Sequence, residues 1–346
     1  MRGGSDPGRL DPVRLAGWLG DRVPDLDPPL TIAIIEGGLS NLTFLVTDAA
    51  ARRWVLRRPP WHSILSSAHD VLRESRVMAA LAATGVPVPP VVGAEPDPAV
   101  LGGAPFFVMN YVDGLVLREA GQATALAPAQ REQLGQHAIS VLATLHSLDP
   151  DAVGLGDLGR RDGYVQRQLR RWWRQWQDSR TRDQPLVEQL HHRLSTAVPP
   201  QRRTSIVHGD YRLDNLIVDN HGTVRAVLDW ELCTLGDPLA DLGSTLAYWV
   251  EPGEAPYRRL TPLTTSPGFP SRAALLGHYA ELTDEPIPDA GYYTALGRWK
   301  IAIILEGVYA RYATGAMAGS TDHVAGLLHD ADTFLEHALD DLDRTT

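Results

Sequence analysis

From about residue 30 to residue 112 the chain alternates short β-branched or aromatic runs with turn residues, and from about residue 113 it turns helical. That change of texture constrains the fold more than any composition figure. "LTIAIIEGG" (30–38), "NLTFLVTD" (41–48) and "RRWVLRRPP" (52–60) read as three successive strands. "SAHDVLRESRVMAALAATG" has apolar residues at Val71, Leu72, Val77, Met78 and Leu81 and stops at Gly85, which predicts a helix. "VPVPPVVGAE" and "PFFVMNYVDG" add two more strands, so the order is three strands, one helix, two strands.

Beyond residue 113, "AQREQLGQHAISVLATLHSL" and "GYVQRQLRRWWRQWQDSR" are amphipathic helices. The segments "DPLADLGSTLAYWV", "SRAALLGHYAELT", "YYTALGRWKIAIILEGVYARYATG" and "HVAGLLHDADTFLEHALDDL" continue the helical pattern. Residues 1–26 read as a polar tail with one short helix, 27–112 as a sheet-containing lobe and 113–346 as a helical lobe. A chain of 346 residues is long enough for two such lobes. Its 44% hydrophobic and 21% charged residues are ordinary for an autonomously folding globular enzyme.

Cys233 is the only cysteine, so no intrachain disulfide and no cysteine metal cluster can form. The start "MRGGSDPGRL" lacks an apolar signal core, and "IAIIL" is too short to span a bilayer, which predicts a cytoplasmic protein without a membrane partner. A formal charge of −10 argues against a nucleic-acid partner. Lys300 is the only lysine, so nearly all positive charge is arginine. Oligomeric state leaves no signature.

The helical half is interrupted by "IVHGDYRLDNLIVDNHGTVRAVLDWE" (206–231). A loop offering Asp210 and Asn215, followed by strands that return Asp229, can gather three oxygen groups for phosphoryl transfer. Mg²⁺ takes one or two carboxylates and completes its shell with phosphate and water. Asn215 and Asp229 suit it as ligands, and Asp210 suits the task of orienting an acceptor hydroxyl. Singly, each of these residues reads more readily as a turn former than as a functional group.

"HGDYRLDN" resembles the catalytic loop of the aminoglycoside phosphotransferase and choline kinase family, within the protein kinase-like superfamily, and "LDWE" stands where protein kinases carry Asp-Phe-Gly. "VLRRPP", "RVMAAL" and "TLGDPLADL" are most similar to the branch found fused to some acyl-CoA dehydrogenases. The resemblance covers about residues 30–340. It implies an α+β, bilobal protein kinase-like fold, with a five-stranded antiparallel sheet and one helix in the N-lobe and a mainly helical C-lobe. It further implies a small-molecule kinase in which Asp210 is the catalytic base, Asn215 and Asp229 hold Mg²⁺, and His208 and Asp241 support the loop. Glu231 could meet the metal through water, but reads first as a plain surface or hinge carboxylate.

On the nucleotide side, Gly37, Gly38, Ser40 and Asn41 occupy the phosphate-covering position, although two glycines between strands also make a plain hairpin. Arg57 stands where the family expects lysine, with Glu74 as its partner. Arginine stays charged and binds phosphate bidentately, but its geometry differs. Met109, Asn110 and Val112 fall at the hinge that would meet the purine edge, adenine in ATP or guanine in GTP.

For the acceptor, Arg167, Arg170 and Arg174 with Trp173 lie on a basic, aromatic helix beside Arg171, Trp172 and Trp176. Such a helix suits an anionic, partly apolar acceptor such as a hydroxyacyl-CoA better than a polycation. It is equally a helix with a tryptophan core stripe and a solvated arginine face. Three other readings stay open: an aminoglycoside kinase conferring resistance, a pseudokinase-like module holding nucleotide or acyl ligand, and a hydrolase in which Asp210 and His208 activate water.

Overall fold

The computed structural model describes residues 10–35, 41–60, 70–254, 257–258, 260, 262–315 and 321–344. The chain divides into two compact units, Met1–Asp113 with Arg225–Cys233, and Gly114–Val224 with Thr234–Thr346.

The first unit begins with α1 (Pro12–Gly20), whose N-terminus is capped by Asp11 accepting from the Val13 N–H at 2.9 Å. Strands β1 (Thr31–Ile34), β2 (Leu42–Thr47) and β3 (Arg53–Arg58) lead to α2 (Val71–Leu81), and β4 (Val91–Glu95) and β5 (Phe106–Asn110) follow. The five strands form one antiparallel sheet in the order β1-β2-β3-β5-β4. Successive strand residues face opposite sides. Trp54, Leu56, Phe106 and Val108 therefore face a core completed by Leu15, Trp18 and Leu19 of α1. Val55, Arg57, Phe107 and Met109 alternate to the other face, with Val55 opposite Met109 and Arg57 opposite Phe107.

The sequence sets α1 apart with the tail, but in the structure it completes the sheet's core. Leu15 and Leu19 are fully buried, and the Trp18 indole N–H donates to Glu95 at 2.9 Å. The segment Arg225–Cys233 likewise groups with this unit, rather than with the helical residues around it in the chain. The Val227 N–H donates to the Pro87 carbonyl at 2.8 Å, and Trp230 is fully buried.

The second unit holds α3 (Pro128–Ser147), α4 (Tyr164–Ser179), α5 (Pro185–Thr196), β6 (Ser205–Val207) and β7 (Leu216–Val218). It also takes the first residue of β8 (Val224–Val227), then β9 (Thr234–Gly236), α6 (Pro238–Tyr248), α7 (Arg272–Thr283), α8 (Ala290–Ala313) and α9 (Thr321–Asp343). Strands β6 and β9 pair antiparallel with Ile206 opposite Leu235. Three-residue β9 is too short to show alternation, so the sequence pattern does not reveal it. Trp172, Trp176, Trp299, Tyr293 and Phe334 are at the core of this unit. No described helix is long and apolar enough to cross a membrane.

Helices α6 and α8 meet through glycines. A Cβ on Gly243 would stand 2.4 Å from the Tyr293 carbonyl, and one on Gly297 would stand 2.9 Å from the Gly243 carbonyl oxygen. Main chain cannot yield as a side-chain tip can, so Gly243→Ala is expected to destabilise by about 1–3 kcal/mol. Urea unfolding would show it as a lower midpoint at unchanged slope. A variant as stable as the parent would mean that the two helices move apart freely.

Candidate active site

In the first unit, strand alternation puts Arg57, and not its neighbour Arg58, on the face of the sheet that meets α2. Arg58 points to the opposite side, 1% exposed, with Nη1 donating to the Leu101 carbonyl at 3.4 Å, and burial pushes its pKa down to about 10. On α2, Asp70 caps the first turn through the Arg73 N–H and Glu74 falls on the buried stripe. Arg57 Nη1 donates to Glu74 Oε1 at 2.5 Å, and Nη2 donates to Asp229 Oδ1 at 3.2 Å. Burial pushes the Glu74 carboxyl up to about 7, with the Asp229 and Glu231 charges adding to the rise and the Arg57 charge opposing it. Desolvation lowers the Arg57 pKa, but Glu74 and Asp229 outweigh it, so the guanidinium stays charged.

Asp229 adopts φ 64° and ψ 59°, a left-handed conformation that aspartate tolerates better than most side chains. This sharp turn separates β8 from the one-turn helix Trp230–Leu232. Arg73 of α2 then holds the carbonyls of Glu231 and Cys233. The sequence offered no signal for Arg73 beyond its place beside Glu74.

The remaining nucleotide-side positions are placed less simply. Gly37, Gly38 and Ser40 lie outside the described residues. Asn41 is buried and donates to Glu231 Oε2 at 3.4 Å, so its amide N–H is directed at a carboxylate. Glu231 is thus no plain surface carboxylate. Met109 is buried on the Arg57 face of the sheet. The Asn110 N–H is spent on the Pro90 carbonyl at 2.8 Å and the Tyr111 N–H on the Arg53 carbonyl at 3.3 Å. Hydrogen bonding within the unit thus takes two of the main-chain N–H donors in this stretch.

In the second unit the loop after β6 is held peptide by peptide. Asp241, fully buried on α6, accepts the His208 N–H at 2.6 Å and the Gly209 N–H at 2.9 Å. His146 of α3 donates from Nε2 to the same carboxylate at 3.3 Å, while its Nδ1 meets the Tyr279 hydroxyl at 2.8 Å. Burial alone would raise the Asp241 pKa, but these hydrogen bonds and the neighbouring imidazoles outweigh it and hold the carboxyl below its usual range. His208 is fully buried and its Nδ1 accepts the Asp210 N–H at 3.3 Å, an orienting contact.

The Asp210 carboxylate is a quarter exposed. Asn215 Nδ2 donates to the Asp210 carbonyl at 2.9 Å and to its Oδ2 at 3.2 Å. Arg212 Nε lies 3.7 Å from the same oxygen, pairs with Asp214, and stacks 4.8 Å from the Tyr248 ring centroid. Arg212 is a member of the quoted loop that the sequence reading passed over. Beside it opens a cavity of about 180 Å³ lined by Tyr211, Leu213, Tyr248, Trp249, Leu263 and Phe334, among others. Arg118, Arg212 and Asp214 supply its charged lining.

Helix α4 follows the packing alternative. Trp172 and Trp176 are buried in the core, and Trp173 stacks on His191 with centroids 4.2 Å apart. Arg167 donates to the main-chain carbonyls of Asp162 and Arg160. Arg170 and Arg174 lie on the exposed face. Trp173 and Arg167, two of the positions expected to meet an acceptor, thus make contacts within the fold.

The structure thus brings Arg57, Glu74 and Asp229 together in one unit, and His208, Asp210, Asn215 and Asp241 in the other. Among the described residues, no group of three or more His, Cys, Asp or Glu side chains gathers as a metal centre made of protein alone.

A five-stranded antiparallel sheet with an Arg–Glu pair to its helix, and a helical unit bearing a His-Gly-Asp loop, define a protein kinase-like α+β fold. The chain belongs to the phosphotransferase enzyme family, which matches residues 31–275, and is a small-molecule kinase of that family. It is 37% identical over 308 residues to acyl-CoA dehydrogenase family member 10 of Mus musculus, across 88% of this chain and 28% of that protein. Identity to acyl-CoA dehydrogenase family member 11 of Homo sapiens is 34% over 290 residues, across 83% and 37%. The chain therefore spans well under half the length of these curated relatives.

Among solved structures, a Ralstonia eutropha protein assigned by name to the aminoglycoside phosphotransferases superposes with a TM-score of 0.81 at 34% identity, over 96% of this chain and 99% of that one. Choline kinase from Cryptosporidium parvum superposes with a TM-score of 0.65 at 13% identity, over 96% of each chain, a likeness of fold alone.

Proposed function

We propose that the protein moves the γ-phosphate of ATP or GTP, taken with Mg²⁺, to a hydroxyl of a small molecule, and that the acceptor is a hydroxyacyl-CoA. The observation that carries this reading is Asp210, held by its loop, with Arg212 leading from its carboxylate into a mainly apolar cavity. Asp210 would accept a hydrogen bond from the acceptor hydroxyl and orient it for attack. An apolar wall with arginine at its charged side suits an acyl chain carrying anionic groups. An aminoglycoside would need an acidic wall, and among the described residues the one carboxylate lining this cavity, Asp214, is paired to Arg212. The names of the curated relatives agree with an acyl-CoA-related acceptor.

Asn215 and Asp229 would each offer Mg²⁺ an oxygen. Asn215 spends its N–H groups on Asp210, which leaves the amide oxygen as its ligand atom. Asp229 is about one-third exposed and meets Arg57 through Oδ1, which leaves Oδ2. Both are hard oxygen donors of the kind the ion prefers, and its chemistry is to bridge and neutralise phosphate oxygens. Arg57, positioned by Glu74, would supply the cation that lysine supplies elsewhere in the family.

A second reading, a nucleotide-binding module with weak turnover, rests on the same contact: an arginine on Asp229 competes with a metal for that carboxylate. A thermal-shift series decides the nucleotide part. Mg²⁺ with ATP or GTP at 100-fold over Kd is expected to stabilise by about 2.7 kcal/mol, and Asp229→Ala to abolish the shift. No shift at millimolar nucleotide, or an undiminished one in the variant, overturns the site. A shift without turnover on any hydroxylated acceptor favours the module, and efficient turnover on aminoglycosides with none on hydroxyacyl-CoAs overturns the acceptor.

A further inference from the structure

Lys300 is the only lysine in a chain with 32 lysine and arginine residues. A chain that uses arginine at every other basic position keeps an ammonium at one place, on the face of α8 toward the loop after β6. Lys300 Nζ donates to the Gly209 carbonyl at 2.8 Å and sits 5.6 Å from the centroid of Trp172. That carbonyl belongs to the peptide joining Gly209 to Asp210, and the N–H of the same peptide donates to His208 Nδ1 at 3.3 Å. Because a peptide is planar, holding both ends fixes its orientation and so the direction in which Asp210 leaves the main chain. Gly209 has φ 84°, a conformation that side chains resist, so the turn itself is set by glycine.

We propose that Lys300 is a positioning residue for Asp210, holding the Gly209–Asp210 peptide from α8 while Asp241 holds the two preceding N–H groups from α6. The proposal rests on the reading of Asp210 as the group that orients the acceptor hydroxyl. An ammonium suits the place because it is compact and can direct a donor at one carbonyl, whereas a guanidinium is longer and planar. The cavity at this point, lined by Trp172, Ser244 and Lys300, holds only about 20 Å³. Desolvation depresses the Lys300 pKa, opposed by the nearby charges of Asp210 and Asp241.

The test uses full-length Lys300→Met and Lys300→Arg. Hydrogen exchange of the peptide covering residues 208–211 is expected to quicken by about tenfold or more in both, while the Mg²⁺-nucleotide thermal shift is kept. With an acceptor in hand, kcat is expected to fall by about 10- to 100-fold with nucleotide KM within about twofold, since small misplacements of a reacting group carry costs of that order. Unchanged exchange in Lys300→Met overturns the proposal, as does quickened exchange with unchanged kcat, or full rescue by arginine. In the unaltered protein, ¹⁵N-lysine labelling gives one side-chain ammonium signal. A signal protected from exchange and displaced by Asp210→Asn supports the contact, and one behaving as a free lysine overturns it. These exchange and labelling readouts need no turnover, so they remain decisive even if the phosphotransferase reading fails.

Discussion

Asp210→Asn is expected to lower phosphoryl transfer by about 10² to 10⁴ while leaving the fold and the Mg²⁺-nucleotide thermal shift nearly intact. The magnitude is that of a lost general base. The fold should tolerate the change because the carboxylate is a quarter exposed, and its side-chain neighbours are Asn215 at 3.2 Å and Arg212 at 3.7 Å. Partly exposed contacts of that kind contribute about 1 kcal/mol or less. Single-turnover measurements with saturating nucleotide would separate the chemical step from binding. Undiminished transfer in the variant would remove Asp210 from the mechanism and move attention to the other polar groups of the loop.

Asp241→Asn is the second large effect, and it falls on stability. The carboxylate is fully buried and accepts from the His208 and Gly209 N–H groups and from His146 Nε2. An amide presents a donor to at least one of these donors. Each orphaned buried group costs about 1–3 kcal/mol, and three donors converge on this carboxylate. A loss of about 3–5 kcal/mol in urea unfolding is therefore expected, with faster exchange of the loop amides. A loss under about 1 kcal/mol would show that the loop is anchored elsewhere.

The same carboxylate carries a pH signature. Its folded pKa lies below the ordinary carboxylate value, so the unfolded chain takes up the proton first. Its contribution is complete above the unfolded pKa of about 3.8 and is lost as pH falls through the lower folded value. Acid unfolding of the parent should steepen in that window, and Asp241→Asn should flatten it.

Much of this was legible in the residues because it is local. The five strands and α2 follow from short-range pattern, and the resemblance of "WVLRR" and "VLRESRVM" to the family named Arg57 and Glu74 as partners, which the structure places 2.5 Å apart. The loop sequence from His208 to Asn215 marks the chemistry because the spacing of those residues is itself short-range. Other features were illegible for a definite reason. Whether Trp173 and Arg167 meet a ligand or the fold depends on His191 and on the Asp162 and Arg160 carbonyls, and no periodicity states that. The main-chain N–H groups of Asn110 and Tyr111 carry no side-chain signature, so only their hydrogen-bond partners show that they are occupied.

The sequence by itself determined the family and the α+β order of elements, because both are written in residue type and near spacing, and the family resemblance nominated Asp210, Asn215 and Asp229 for the roles proposed above. Tertiary structure alone decided that α1 and the segment around Asp229 group with the sheet, that Asp241 and Lys300 grip one loop from two helices, and that Arg212 leads into an apolar cavity. Those relations join residues tens to hundreds of positions apart. They depend on which surfaces burial brings together, and that is a property of the folded chain.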